Sequence, residues 1–460
     1  MGLKVLLVAS EVSPYAKTGG LGDVMSILPT ELVALGVEVK VIFPKYKSLS
    51  RVSKLSNIGK FNVNIKWKEH EAEVFKIDDK EIYAIGNTHF FMRDFLYGYE
   101  DDYARFYFFT ISIYEFLKFI NFKPDIIHFN DWQTGLGAFY LKENLSDEPF
   151  FENIRTVFSI HNLQYQGNFD PSILKTLDIS EFYYNQEMLE LYGNASFMKA
   201  AIVYNDAIAT VSETYAKEIQ TPQYSYGLDG IISTRKNDLY GVLNGISYDD
   251  VQGGIVKDRA YLQQRVGLPI KDTPVVALIT RLVEQKGIDI IALALSEILS
   301  HDIQLVVLGT GEHKYETFFF EESGKYENLS SHIYFSTDLS NDIYKHSDMF
   351  LMPSLFEPCG LAQMISMKYG TVPIVRKTGG LEDTVHHFNV QTGQGNGFIF
   401  EDYDANGLMW AMRQALNTYN DKVAWEVVKK NAINSKFSSE ESAKKYVEMY
   451  KQVIKKSKNT

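Results

Sequence analysis

The sequence predicts an α/β protein in which a parallel-sheet unit is built twice. Three observations carry this. Strand-length apolar runs, as at residues 4–9 and 274–280, each lead into a polar, glycine-bearing loop and then a helix, which is the grammar of a βαβ unit. The pattern Lys17-Thr-Gly-Gly-Leu-Gly-Asp23 recurs as Lys377-Thr-Gly-Gly-Leu-Glu-Asp383. With 460 residues, 45% of them hydrophobic, the chain is too long for one core.

The first unit opens with a strand at 4–9, a glycine loop, a helix at 23–35 and a strand at 37–43. The loop is longer than a GxGxxG turn, and the second strand ends in Phe43-Pro44-Lys45 with no acid placed for a ribose. Both facts argue against a nicotinamide cofactor. Lys17 stands just ahead of Gly19 and Gly20, where its ammonium reaches a phosphate or carboxylate. Residues 58–84 alternate apolar and polar, as from Phe61 to Trp67, and read as inserted antiparallel strands. An aromatic-rich buried helix at 103–121 feeds a strand at 125–129, which ends in Asn130-Asp131-Trp132. At the carboxyl end of a parallel strand, Asp131 serves either a ligand or the cap of the next helix. The strand at 156–160 ends in His161, on the same edge as Asp131 and Lys17. Residues 171–192 are expected to be mainly helical, followed by a strand at 207–212 and a short helix at 214–219. An Asn244-Gly245 tight turn then closes the unit.

In the second unit, Arg281 and Lys286 lie on the loop between the strand at 274–280 and a helix at 288–299, two fixed cations beside a helix start. Strands are expected at 304–309, 333–335 and 349–352, the last delivering Glu357 and the step Cys359-Gly360-Leu361 into an apolar helix. Thr378-Gly379-Gly380 opens another helix. Helix starts expose unpaired N–H groups and favour anions, so both units are expected to offer loops to one anionic ligand. A long amphipathic helix at 438–456 ends the sequence.

Composition sets the limits. A net charge of −12 argues against nucleic-acid binding, and no apolar run approaches bilayer length, so a soluble, cytoplasmic protein is expected. The single cysteine, Cys359, excludes an intramolecular disulfide and a cysteine-based metal cluster. Aromatic residues make up 14% of the chain, which suits carbohydrate stacking, although most such rings belong in cores.

Six ordered motifs, Lys17 to Asp23, His128 to Gln133, His161 to Gly167, Arg281 with Gln285-Lys286-Gly287, Phe356 to Leu361 and Thr378 to Leu381, resemble those of the bacterial glycogen synthases and plant starch synthases along nearly the whole chain. The resemblance implies a GT-B fold: two facing Rossmann-like domains, 1–245 and 246–435, and a crossover helix at 436–460 returning to the first. It implies retaining transfer of glucose from ADP-glucose to the non-reducing end of an α-1,4-glucan, releasing ADP. ADP-glucose is then a co-substrate, and no cofactor, metal, nucleic acid or membrane is expected; oligomeric state stays open. Carried over by position, Lys17, Gly19 and Gly20 lie near the donor diphosphate or sugar, and Arg281 and Lys286 on the phosphates. Glu357 holds glucose hydroxyls and His161 sits near the reacting carbon. Cys359, Gly360, Leu361, Thr378, Gly379 and Gly380 contact phosphate and ribose, Phe335 stacks on adenine, and Asp131 and Asn244 line the cleft. Alanine at Lys17 or Glu357 is expected to cut turnover by orders of magnitude with little change in melting temperature.

The chain departs from the family in two places. Relatives usually carry Arg where Leu355 stands, and a longer segment with a Trp-x-Pro step where 246–267 lies. Two rival readings follow: a related enzyme using UDP-glucose, and a weakly active glucan-binding homologue. A nucleotide-linked dehydrogenase is disfavoured by the first loop.

Overall fold

The computed structural model describes residues 2–51, 54–66, 68–77, 80–251 and 256–457; Trp67 and residues 252–255 of the shortened segment lie outside them. The chain divides into two compact units, Met1–Gly245 together with Ser439–Thr460, and Ile246–Ser438.

In the first unit, β1 (Lys4–Val8), β2 (Glu38–Pro44), β3 (Leu55–Ile65), β4 (Lys68–Ile77), β5 (Ile82–Gly86), β6 (Ile126–Asn130), β7 (Arg155–Ile160), β8 (Ala207–Thr210) and β9 (Leu239–Gly241) form one sheet in the order β9-β8-β7-β6-β1-β2-β5-β4-β3. From β9 to β5 every pair is parallel. Strands β3 and β4 extend that sheet as an antiparallel hairpin, in keeping with the alternation at 58–84. The parallel strands are apolar end to end because helices cover both faces: Val5, Leu6, Leu7 and Val8 are fully buried. The order in which strands are added reverses between β1 and β6, with β2 laid down on one side of β1 and β6 on the other, which makes their carboxyl ends the topological switch point.

The second unit repeats the plan. Strands β10 (Val275–Ile279), β11 (Gln304–Leu308), β12 (Leu329–His332), β13 (Met349–Met352), β14 (Val372–Arg376) and β15 (Phe398–Phe400) are all parallel, in the order β12-β11-β10-β13-β14-β15. The switch point here lies between β10 and β13.

The helix Ser439–Ser457 belongs to the first unit. Its Tyr446 and Tyr450 are buried, and the Tyr450 hydroxyl lies 2.7 Å from Nδ1 of His128 on β6. The Ser439 hydroxyl donates to Glu31 at 2.6 Å, and that of Ser442 to the Leu243 carbonyl.

Three local expectations are corrected. Residues 171–192 are not one helix: only Ile173–Leu177 is α-helical, and Glu190–Leu191 pairs with Asn194–Ser196 in a small sheet. The buried positions are aliphatic, Ile173, Leu174, Leu177, Ile179, Leu189 and Leu191, while Phe182 and Tyr192 face outward, so no continuous helical face is buried. The third strand of the second unit ends at His332, so Phe335 stands on the following loop. No tight turn forms at Asn244-Gly245; the chain runs on to a parallel bridge between Ile246 and Ser438.

Candidate functional site

In both units the candidate residues stand on loops at the carboxyl ends of parallel strands. Lys17, Asp131, His161 and Asn244 follow β1, β6, β7 and β9; Arg281, Phe335, Glu357 and Thr378 follow β10, β12, β13 and β14. The parallel topology alone puts them there.

The Lys17 loop is pinned from below. Glu11, 4% exposed, accepts from the N–H of Thr18 at 2.7 Å, the Thr18 hydroxyl at 2.5 Å and the N–H of Gly19 at 3.1 Å; the Tyr97 hydroxyl adds a fourth bond at 2.9 Å. A carboxylate that takes four donors fixes the loop ahead of the helix Gly20–Ala34. Lys17 itself is a third exposed, its Nζ 2.7 Å from Asp23. Gly19 and Gly20 have no positive φ, and a Cβ on either would meet nothing within 4 Å. Neither the backbone nor any neighbour demands glycine at these two positions.

Asp131 takes φ 57, a left-handed conformation rarely adopted by residues other than glycine. It precedes a short 3-10 turn, Trp132–Thr134, without capping it. Its carboxylate instead accepts from the His161 N–H at 2.8 Å, so the two strand ends hold each other. Burial pushes the Asp131 carboxyl up to about 7. The His161 Nε2 lies 2.9 Å from Asn130 Oδ1, and Asn130 Nδ2 donates to the Val8 carbonyl at 3.0 Å. That second bond orients the amide, so Oδ1 must accept: Nε2 of His161 carries the proton and Nδ1 presents a lone pair. Burial lowers the imidazole to about 4, and it stays neutral at pH 7.

His128, although part of the same motif, points away from this edge, into the bonds with Tyr450 and with Ser159 at 2.6 Å. Desolvation lowers it to about 3, against about 6.5 unfolded. Between those values the unfolded chain binds the proton and the folded one does not, so stability is expected to rise with pH across this window. Urea-unfolding free energies at pH 5 and pH 7 check this: the gain should be smaller in His128→Gln than in the parent.

In the second unit the groups converge on Glu357, 5% exposed. Lys286 Nζ donates to it at 2.5 Å and the Ser354 hydroxyl at 3.1 Å, while its own carbonyl accepts from the Gly380 N–H at 3.0 Å. Arg281 reaches Gln285, whose carbonyl accepts from the Leu355 N–H at 2.9 Å. A Cβ on Gly380 would fall 2.0 Å from the Cys359 carbonyl oxygen; glycine alone lets the two helix starts, at 362 and 379, pack this closely. Both helices are short, so they offer first-turn N–H groups more than a large dipole. The Lys286–Glu357 pair is nearly buried, with side chains 14% and 7% exposed. Removing one partner of such a pair costs about 3–5 kcal/mol. The expectation that alanine at Glu357 spares the melting temperature is therefore corrected.

Leu355, which brings no charge, has one beside its backbone. Arg376, at the end of β14, donates to the Leu355 carbonyl at 2.5 Å and lies over the Tyr403 ring at 5.3 Å. Phe335 is 79% exposed, and Asn244, 6% exposed, has no hydrogen-bond partner for Oδ1 among the described residues. Neither joins the bonded clusters. Sequence reasoning missed Glu11, Tyr97 and Asn130. The signal available was the acid directly after the first buried strand. Among the described residues no group of three or more suited to a metal occurs, and no helix is long and apolar enough to cross a membrane.

Comparison with known proteins gives consistent matches along the chain. A family described as the starch synthase catalytic domain matches residues 4–234, and one described as glycosyl transferases group 1 matches 262–433. The glycogen synthase of Clostridium perfringens is 44% identical over 98% of this chain and 99% of its own. That of Clostridioides difficile is 42% identical over 98% of this chain and 100% of its own. The catalytic domain of starch synthase IV from Arabidopsis thaliana, bound to ADP and acarbose, superposes with a TM-score of 0.91 at 31% identity, covering 99% of this chain and 100% of that one. A sucrose-phosphate synthase from Thermosynechococcus elongatus, 18% identical with a TM-score of 0.66, shares the fold.

Proposed function

The chain belongs to the glycogen synthase and starch synthase family of glycosyltransferases, and from that premise we propose that it transfers glucose from ADP-glucose to the non-reducing end of an α-1,4-glucan with retention, releasing ADP. The observation that carries this reading is the second unit's switch point. There two cations, Arg281 and Lys286, a nearly buried carboxylate, Glu357, and two glycine-marked helix starts occupy adjoining loops. A nucleoside diphosphate sugar asks for this set: fixed positive charge and N–H groups for the diphosphate, and an acceptor for sugar hydroxyls.

In the proposed reaction the bond from glucose C1 to the diphosphate oxygen breaks, leaving its electron pair on ADP. Positive charge develops on the ring and about one extra negative charge on the leaving group. Lys286, Arg281 and Lys17 stabilise the latter. Lys286 and Lys17 each hold a carboxylate, at 2.5 and 2.7 Å, and meet phosphate by sharing or exchanging that partner. The acceptor's 4-hydroxyl attacks from the face the diphosphate leaves, and its proton passes to a phosphate oxygen. Neutral His161 is no nucleophile toward the ring; its Nδ1 lone pair takes a hydrogen bond from a sugar hydroxyl. Phe335 is proposed to stack on adenine, the exposed Gly19 and Gly20 backbone to approach the donor, and the unpartnered Asn244 carbonyl to accept from the glucan or glucose. The backbone at Cys359, Gly360, Leu361, Thr378 and Gly379 is proposed to contact phosphate and ribose. No cofactor is assigned.

Transfer of labelled glucose to glycogen from ADP-glucose and UDP-glucose, measured side by side, tests the donor. Faster incorporation from ADP-glucose is expected; a clear preference for UDP-glucose would overturn that choice, and glycogen binding without ADP release would favour a non-catalytic homologue.

A further inference from the structure

At the edge of the second unit's sheet, two strands away from β13, lies an open hollow of about 740 Å³ floored by Phe400 and Gly407. One wall is the indole of Trp410, on the helix Ala405–Asn420. That side chain is 47% exposed, whereas Leu408, Met409 and Ala411 on the same helix are buried. The ring is not loose. It stacks on His387, with centroids 5.3 Å apart and planes at 22°. His387 is fixed in turn, since its Nδ1 accepts from the Ile399 N–H at 3.1 Å and Phe398 meets it edge-on. A flat aromatic plate therefore faces the hollow at a set angle.

The polar lining is balanced in charge. Lys377 and Arg413 face Glu401 and Asp402, two cations against two carboxylates. Lys377 is paired with Glu401 at 2.9 Å, and Arg413 with Glu297. A surface whose two cations are already paired gains little from an anionic ligand. It retains planar hydrogen-bonding groups, the Asp402 carboxylate, the Asn406 amide and the guanidinium, around an apolar plate. A pyranose ring has the matching form, with C–H groups on its faces for stacking and hydroxyls around its rim.

We propose that this hollow is a second glucan-binding site, which holds one or two sugar rings of the polymer against Trp410 while chain ends are extended elsewhere. The proposal rests on the glucan-acceptor reading above. It assigns no chemistry to the hollow: the site raises the local concentration of acceptor ends, which matters for a branched polymer and not for a short oligosaccharide.

The test compares the parent chain with Trp410→Ala in glycogen affinity electrophoresis and in kinetics with glycogen and with maltotriose. Loss of the plate should weaken glycogen retention about tenfold and raise KM for glycogen, with kcat and KM for maltotriose unchanged. Equal retention of variant and parent overturns the proposal. Should Trp410→Ala lower the melting temperature, Asn406→Ala decides: weaker retention supports the site and unchanged retention overturns it. A parent chain that neither releases ADP nor is retarded by glycogen would instead sink the functional reading itself.

Discussion

Exchanging Glu357 for glutamine should lower kcat by about two to three orders of magnitude, the scale of losing one preorganised electrostatic contact to a transition state. Glutamine keeps the shape and a carbonyl that still accepts from Ser354 and Lys286, whose bonds to the carboxylate are 3.1 and 2.5 Å long. What it removes is the negative charge facing a ring that becomes positive, and the charge that orients the Lys286 ammonium. Alanine is the less informative variant, because it strands a nearly buried ammonium and adds a stability loss on the order of 3–5 kcal/mol. Steady-state rates with ADP-glucose and glycogen, with a thermal melt of each variant, separate the two effects. Near-parental turnover in Glu357→Gln would remove this residue from the chemistry.

Lys17→Ala should reduce kcat/KM by a similar factor and yet melt with the parent. The exposure decides this: its ion pair with Asp23 is at the surface, side chains 36% and 33% exposed, and pairs of that kind contribute about 0–1 kcal/mol. The loop also does not depend on Lys17 for its shape, since Glu11 holds Thr18 and Gly19. A variant that loses activity and also melts early would place Lys17 in the loop's architecture, and full activity would dismiss it from the donor site.

Much of this was legible in the chain because parallel strands buried on both faces leave continuous apolar runs. Residues 4–8, 275–279 and 349–352 announce themselves, and the loops behind them fall at the reactive edge by topology alone. Lys17, Arg281, Lys286 and Glu357 stand on those loops, and His161 on the one behind residues 155–160. What could not be read is what lies beneath. Glu11 reads as a loop acid, and only the fold brings Tyr97, over eighty positions later, onto its oxygen. Asn130 sits in a motif without declaring its task, which is to select the tautomer of His161.

The bond between His128 and Tyr450 bears on how the protein is made. On a ribosome, the first unit's strands emerge early but lack the helix that fills the space beside β6 until residues 439–457 have appeared. All of 246–438 is synthesised in between, so the later unit is the first able to finish its own core. The nascent chain thus carries an unfinished amino-terminal half, with His128 and its apolar neighbours uncovered, for the time it takes to make the other. Loss of the closing helix would strike the half of the molecule that was made first.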